Sequence, residues 1–298
     1  MSLLSRFGDV RAVQPLRFRE YRLLFTGQVF GTMGMWMDEV TRLWLIYQLT
    51  DSMLQLGLVR GVQAVPYLVF SSLAGSAADR YSRKMQILLA QGLNVFLYAL
   101  TAGLIWSGHI SPWHVYVLAF LTAGVQVFQQ PARASMISEA VPREYLTNAI
   151  GLTSLIFNLS RGVGPALAGA LIVVIDIGGA FAVQAFFMLL ATCLTWPLKH
   201  VPHPPAARRR ESFFASMTAG WKYSWNDLTL RAALSCVMLT SFFIVPFTTL
   251  LPVFARDLLQ VGATGQGLML TAMGAGAFIS AGVIANAGHH LPRGIMMI

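Results

Sequence analysis

Three ionisable residues, Asp38, Glu39 and Arg42, stand inside an otherwise mostly apolar run at 23–49. Charge is costly in such a run, so it pairs with a neighbour or faces a cavity. Asp38 precedes Arg42 by four residues, the favourable orientation for an ion pair along a helix. Gly27, Gly31, Gly34 and Asp38 fall on one helical stripe, which reads as the wall of a cleft. Arg161 sits near the middle of a later apolar run. A carboxyl group beside a guanidinium in a poorly solvated place can take up and release a proton, with an affinity set by that neighbour. One reading gives Asp38 or Glu39 this role, tuned by Arg161 or Arg42; the other is a fixed ion pair that sets helix packing. Gln126, Gln129 and Gln130 form a second polar face, suited to holding a substrate or to bonding between helices. Trp36, on the helix of Asp38, is a further candidate for contact with an amphipathic molecule.

The elements that carry these residues are membrane helices. Of 298 residues 56% are apolar and 11% charged, far fewer charges than keep a water-soluble domain wet. Apolar runs at 23–49, 56–78, 85–106, 113–130, 149–175, 179–198, 232–254 and 265–287 are each near the ~20 residues that cross a bilayer. Arginine and lysine cluster before the first run and after the second, fourth, sixth and eighth. The intervening loops hold only Arg256. This asymmetry puts the N-terminus in the cytoplasm. The net charge of +9 therefore orients the chain in a lipid bilayer, and nucleic-acid binding is not expected. Cys193 and Cys236 lie inside apolar runs, so neither a disulfide nor a metal site is expected. The N-terminal segment reads as uncleaved, the first run serving as its own insertion signal.

One internal boundary is clear. Residues 199–231 hold Pro202, Pro204, Pro205 and the basic run Arg208, Arg209, Arg210, the composition of a flexible cytoplasmic linker. Ser212 reads as an N-cap, followed at helical spacing by Phe213, Phe214, Met217, Trp221, Ser224 and Trp225. Such a helix suits the headgroup layer. The chain divides accordingly into a six-helix half at 1–198, the linker at 199–231 and an incomplete second half at 232–298.

Two motifs add a family. Gly75-Ser76-Ala77-Ala78-Asp79-Arg80-Tyr81-Ser82-Arg83-Lys84 resembles the loop signature between spans two and three of the major facilitator superfamily. Gly75, Asp79, Arg80, Arg83 and Lys84 match it, while Ala77 and Ser82 depart. Arg161-Gly162-Val163-Gly164-Pro165-Ala166-Leu167-Ala168-Gly169-Ala170 resembles the fifth-span signature of proton-coupled exporters. It matches at Gly164, Pro165 and Gly169, with Ser160 and Ala170 at two positions where glycine is common. The segments at 18–24, 44–52, 131–135, 139–144 and 148–150 resemble the drug-efflux and siderophore-exporter branch. Span four lacks the membrane arginine that many drug antiporters carry, with Phe120 and Leu121 in that stretch.

The resemblance implies an all-α bundle with about eight membrane helices here, six from the first half and two from the second. It implies a secondary exporter of small amphipathic molecules, working by proton antiport and alternating access in a bacterial inner membrane. A proton gradient would supply the energy without a cofactor, and the full-length protein would be a monomer. The loop motif would close a cytoplasmic gate, and Gly164, Pro165 and Gly169 would pack span five against span eight. A same-fold uptake transporter and a truncated, non-transporting chain are the alternatives, four further spans being absent from the sequence. An enzyme is not expected, because no metalloprotease, serine-hydrolase or phosphate-loop motif occurs.

Overall fold

The computed structural model describes residues 11–198, 222–223, 225–243 and 245–287. The expected headgroup helix at 212–225 lies largely outside them, as does the tail beyond 287. A 3-10 turn at Arg11–Arg17 leads into α1 (Arg19–Thr50), followed by α2 (Met53–Arg80), α3 (Arg83–Trp106) and α4 (Pro112–Ala140). Local chemistry sets these ends. α1 stops where Asp51 turns left-handed, at φ 48°. The Ser82 hydroxyl accepts the Met85 N–H at the start of α3. Pro112 opens α4, where its missing N–H costs nothing.

The fifth and sixth apolar runs form one element, α5 (Leu146–Thr195), broken at Ile175 and Asp176. Asp176 has φ 65° and accepts the Gly179 N–H at 2.7 Å, so it caps the second arm while turning the chain. The seventh run, expected at 232–254, lies within one apolar stretch long enough to cross a membrane, at 230–258. It comprises α6 (Leu228–Phe243), α7 (Val245–Thr249) and α8 (Leu251–Val253), then a π-helical turn at Phe254–Leu258. A turn at Leu250 precedes Pro252, which has no backbone donor to give to the turn before it. The last described element is α9 (Gly262–Ala287). Among the described residues, by length and apolarity alone, four stretches qualify as spans: 53–71, 83–106, 143–195 and 230–258. α1 is long enough, but its charged and amide residues lower its apolar character.

α1 runs along both arms of α5. Tyr21 donates to the Ala149 carbonyl at 2.8 Å, Thr32 and Ser160 share a hydrogen bond at 3.0 Å, and Gln184 donates to Thr41 at 2.9 Å. Leu43, Ile46, Leu56, Tyr98 and Phe181 build the main core around α1. α9 meets the first arm of α5 at backbone distance. A Cβ on Gly267 would come within 2.4 Å of the Pro165 carbonyl oxygen, and one on Gly169 within 2.6 Å of the Ala263 oxygen. Small residues at such crossings let helices pack without a hydrophobic drive between them.

Gly276 on α9 has open space where a Cβ would be, so it is the control for this crossing. Gly267→Ala should destabilise the purified protein by about 1–3 kcal/mol through overpacking. Gly276→Ala should be neutral or slightly stabilising. Equal thermal midpoints for the two variants in detergent would contradict the crossing.

A polar cleft as candidate functional site

The charges of α1 are answered within reach. Arg42 reaches back one turn and grips Asp38 with two bonds, Nε to Oδ2 and Nη2 to Oδ1, each 2.8 Å. Both residues are buried, and the guanidinium also lies 5.7 Å from the Phe181 ring centre. Glu39 pairs with Arg60 of α2, whose Nη1 donates to Glu39 at 3.0 Å and to Gln63 at 3.2 Å. The two pairs differ in setting. Arg42 keeps both carboxylate oxygens of Asp38 occupied in the core, whereas Glu39 and Arg60 are only partly covered.

The Glu39 pair lines a cavity of about 290 Å³, with Trp36, Asp38, Gln63, Tyr67 and Gln126 among its walls. A neighbouring cavity of about 280 Å³ shares Trp36, Glu39 and Arg60 and extends to Arg161 and Pro165 of α5 and to Leu270 and Met273 of α9. Arg161 does not pair with Asp38 or Glu39. Its guanidinium lies 5.5 Å from the Trp36 ring centre, a cation–π arrangement. Gln126 also borders a smaller cavity of about 60 Å³ with Gln129, Gln130 and Arg133. On α3, Gln91, Asn94 and Tyr98 are buried without a hydrogen-bond partner among the described residues, a polar seam within the first bundle.

The fifth-span motif serves two neighbours. Pro165 and Gly169 meet α9, but Gly164 faces α1, where a Cβ would come within 2.7 Å of the Trp36 Cβ. In the loop motif, Arg83 pairs with Glu139 at the end of α4 and donates to the Ala78 carbonyl at 3.3 Å. Arg80 is exposed, Lys84 is half-buried, and Gly75 has open space beside it. The Asp79 side chain lies outside what the structure describes.

Sequence reasoning missed two features. Arg60 was open to discovery, since a lone charge within an apolar run is a signal in itself. The other is a set of contacts at the far rim. Arg256 pairs with Asp51 at 2.6 Å, lies 5.4 Å from the Tyr47 ring centre, and the Tyr47 hydroxyl donates to Asp257. The partners are some two hundred residues apart, and no local pattern joins them.

This is the architecture of a polytopic transport protein of the major facilitator superfamily. The transmembrane secretion effector family matches residues 10–292, and the chain belongs to it. Its relatives are transporters. The staphyloferrin A transporter of Staphylococcus aureus is 23% identical over 87% of this chain and 65% of its own length. The multidrug efflux pump Tap of Mycobacterium tuberculosis is 26% identical over 85% of this chain and 62% of its own. The efflux pump PmrA of Streptococcus pneumoniae is 28% identical over 78% and 56%. The chain thus spans less than two thirds of each of these relatives. Among solved structures, a bacterial homologue of the human lysosomal transporter Spinster, captured inward-facing and unoccupied, superposes with a TM-score of 0.68. It is 15% identical, over 95% of this chain and 64% of that one, which shows the shared fold.

The two kinds of ion pair should respond differently to mutation. Arg42→Leu strands a buried carboxylate and should cost about 3–5 kcal/mol, with the double change Asp38→Asn, Arg42→Leu costing less. Asp51→Asn, at an exposed pair, should cost at most about 1 kcal/mol. Unfolding midpoints in detergent give the ranking, and the reverse order would contradict this account of the pairs.

Proposed function

We propose that the chain is part of a secondary exporter of small amphipathic molecules, driven by proton antiport with alternating access. The observation that carries this reading is the Glu39–Arg60 pair on the wall of a cavity between membrane helices. Glu39 is the better proton carrier of the two acids. Its partner comes from another helix, so protonation of Glu39 releases α2 from α1. Protonation of Asp38 would break only a contact within α1. A proton can thereby be exchanged for a change in helix arrangement, which is what coupling requires.

The remaining assignments follow the same plan. Residues 1–198 form the first half, 199–231 a cytoplasmic linker and 232–298 the part of the second half present in this chain. Gly75, Asp79, Arg80, Arg83 and Lys84 form the cytoplasmic gate, with Arg83 anchored on Glu139. Gly164, Pro165 and Gly169 hold α5 between α1 and α9. The relatives named as multidrug efflux pumps support outward movement of the substrate. The bacterial inner membrane, a cytoplasmic N-terminus and a monomeric full-length protein complete the reading.

Two measurements test it. In inverted vesicles holding the protein as its gene encodes it, dye accumulation should fall when the pH gradient is collapsed. Glu39→Gln should lower the gradient-driven rate about tenfold or more, and Asp38→Asn should act chiefly through reduced protein levels. Gradient-driven transport at the wild-type rate in Glu39→Gln would falsify the assignment. For topology, a cysteine at Ser82 should react only with reagent on the cytoplasmic side and one at Ser107 only from outside. Labelling of both from one side would overturn the orientation.

A further inference from the structure

The cleft wall carries unpaired cationic groups and, among the described residues, no free carboxylate. Its three cavities are neighbours along α1: Met35 and Gln126 line the first two, and Trp36, Glu39 and Arg60 line the last two. The two acids on this path are both engaged, Asp38 by Arg42 and Glu39 by Arg60. Two further arginines are not. Arg133 borders the smallest cavity and makes no ion pair or hydrogen bond among the described residues. Arg161 borders another and is held over Trp36 by its ring face alone. This contact uses none of the guanidinium N–H donors for a hydrogen bond, and those donors suit a carboxylate.

The uncharged groups lean the same way. The Trp36 indole N–H is buried without an acceptor, and an indole can only donate. Gln126, Gln129 and Gln130 beside Arg133 can turn either an N–H or a carbonyl oxygen to a ligand, so they accommodate an anion without selecting it. Met35 and Phe157 give the same wall an apolar part. An unpaired guanidinium in a poorly solvated place is costly, and an anion arriving there offsets that cost. A cationic molecule would meet two uncompensated positive charges and no free carboxylate.

We propose that this cleft selects an anionic substrate, a small molecule whose carboxylate groups are held by Arg133 and Arg161 and whose apolar part lies against Met35 and Phe157. The proposal rests on the transport reading only in taking the cleft as the substrate path, and it narrows the substrate from amphipathic molecules in general to carboxylates.

Carboxyfluorescein and rhodamine 6G test it, because they share a fused three-ring skeleton and carry opposite charge. Binding to the purified full protein in detergent is read by fluorescence anisotropy. Carboxyfluorescein should bind about tenfold or more tightly than rhodamine 6G, as charge-assisted bonds to half-buried arginines demand. Arg133→Gln and Arg161→Gln should each weaken carboxyfluorescein several-fold, and the double change should abolish the preference. Arg133→Lys should retain most of it. Equal or tighter binding of rhodamine 6G, binding of neither dye, or full preference in a folded double variant would overturn the proposal. The wild-type comparison decides the matter even where a variant fails to fold. Transport in inverted vesicles separates the two readings. Anion preference without any response to the pH gradient strikes the antiport reading alone, whereas gradient-driven export that favours rhodamine 6G strikes this one alone.

Discussion

A charge inside a membrane helix has to be answered by protein, since lipid offers it nothing. α1 carries three charges within five positions, Asp38, Glu39 and Arg42, and much of the first bundle is arranged to meet that requirement. Asp38 and Arg42 neutralise each other one turn apart. Glu39 points away from that pair and draws Arg60 of α2 to it. α1 is accordingly enclosed, with both arms of α5 along it and polar bonds to each. A helix with this content could not sit at the lipid boundary, and its low apolarity is the sequence trace of that position.

Close packing does for the second half what ion pairing does for the first. α9 lies against α5 through backbone contacts at Gly169 and Gly267, and the far rim adds Asp51 with Arg256 and Tyr47 with Asp257. The crossing depends on the absence of side chains, so it tolerates little change at a few points and leaves the remaining surface free. Between these contacts lie the cavities lined by Glu39, Arg60 and Arg161.

Features whose cause is local were legible in the sequence. The eight apolar runs, the basic loops and the spacing of Asp38 and Arg42 all depend on a few adjacent residues. The all-helical bundle and the family followed from them and from two motifs. What depends on distant partners was not legible. Arg161 and Arg42 were alternative partners for an acid; Arg42 grips Asp38 while Arg161 lies over Trp36, because only the crossing of α1 and α5 decides which group Arg161 meets. Gly164 was grouped with Gly169 as a contact to span eight, yet it faces α1. One helix face can serve two neighbours when those neighbours lie at different angles around it. The seventh run read as one span by apolarity and is one by length, but apolarity does not register the turn before Pro252 or the π-helical turn near its end.

The π-helical turn at Phe254–Leu258 has a consequence of its own. Widening a helix by one residue rotates everything beyond it relative to everything before it. Here the neighbours Arg256 and Asp257 both reach α1, one to Asp51 and one to Tyr47, although successive residues on a regular helix diverge by about a quarter-turn or more. The rim contact is thus a matter of register. Returning the turn to ordinary helical winding would re-aim both side chains together, so a single backbone adjustment governs two bonds that look independent.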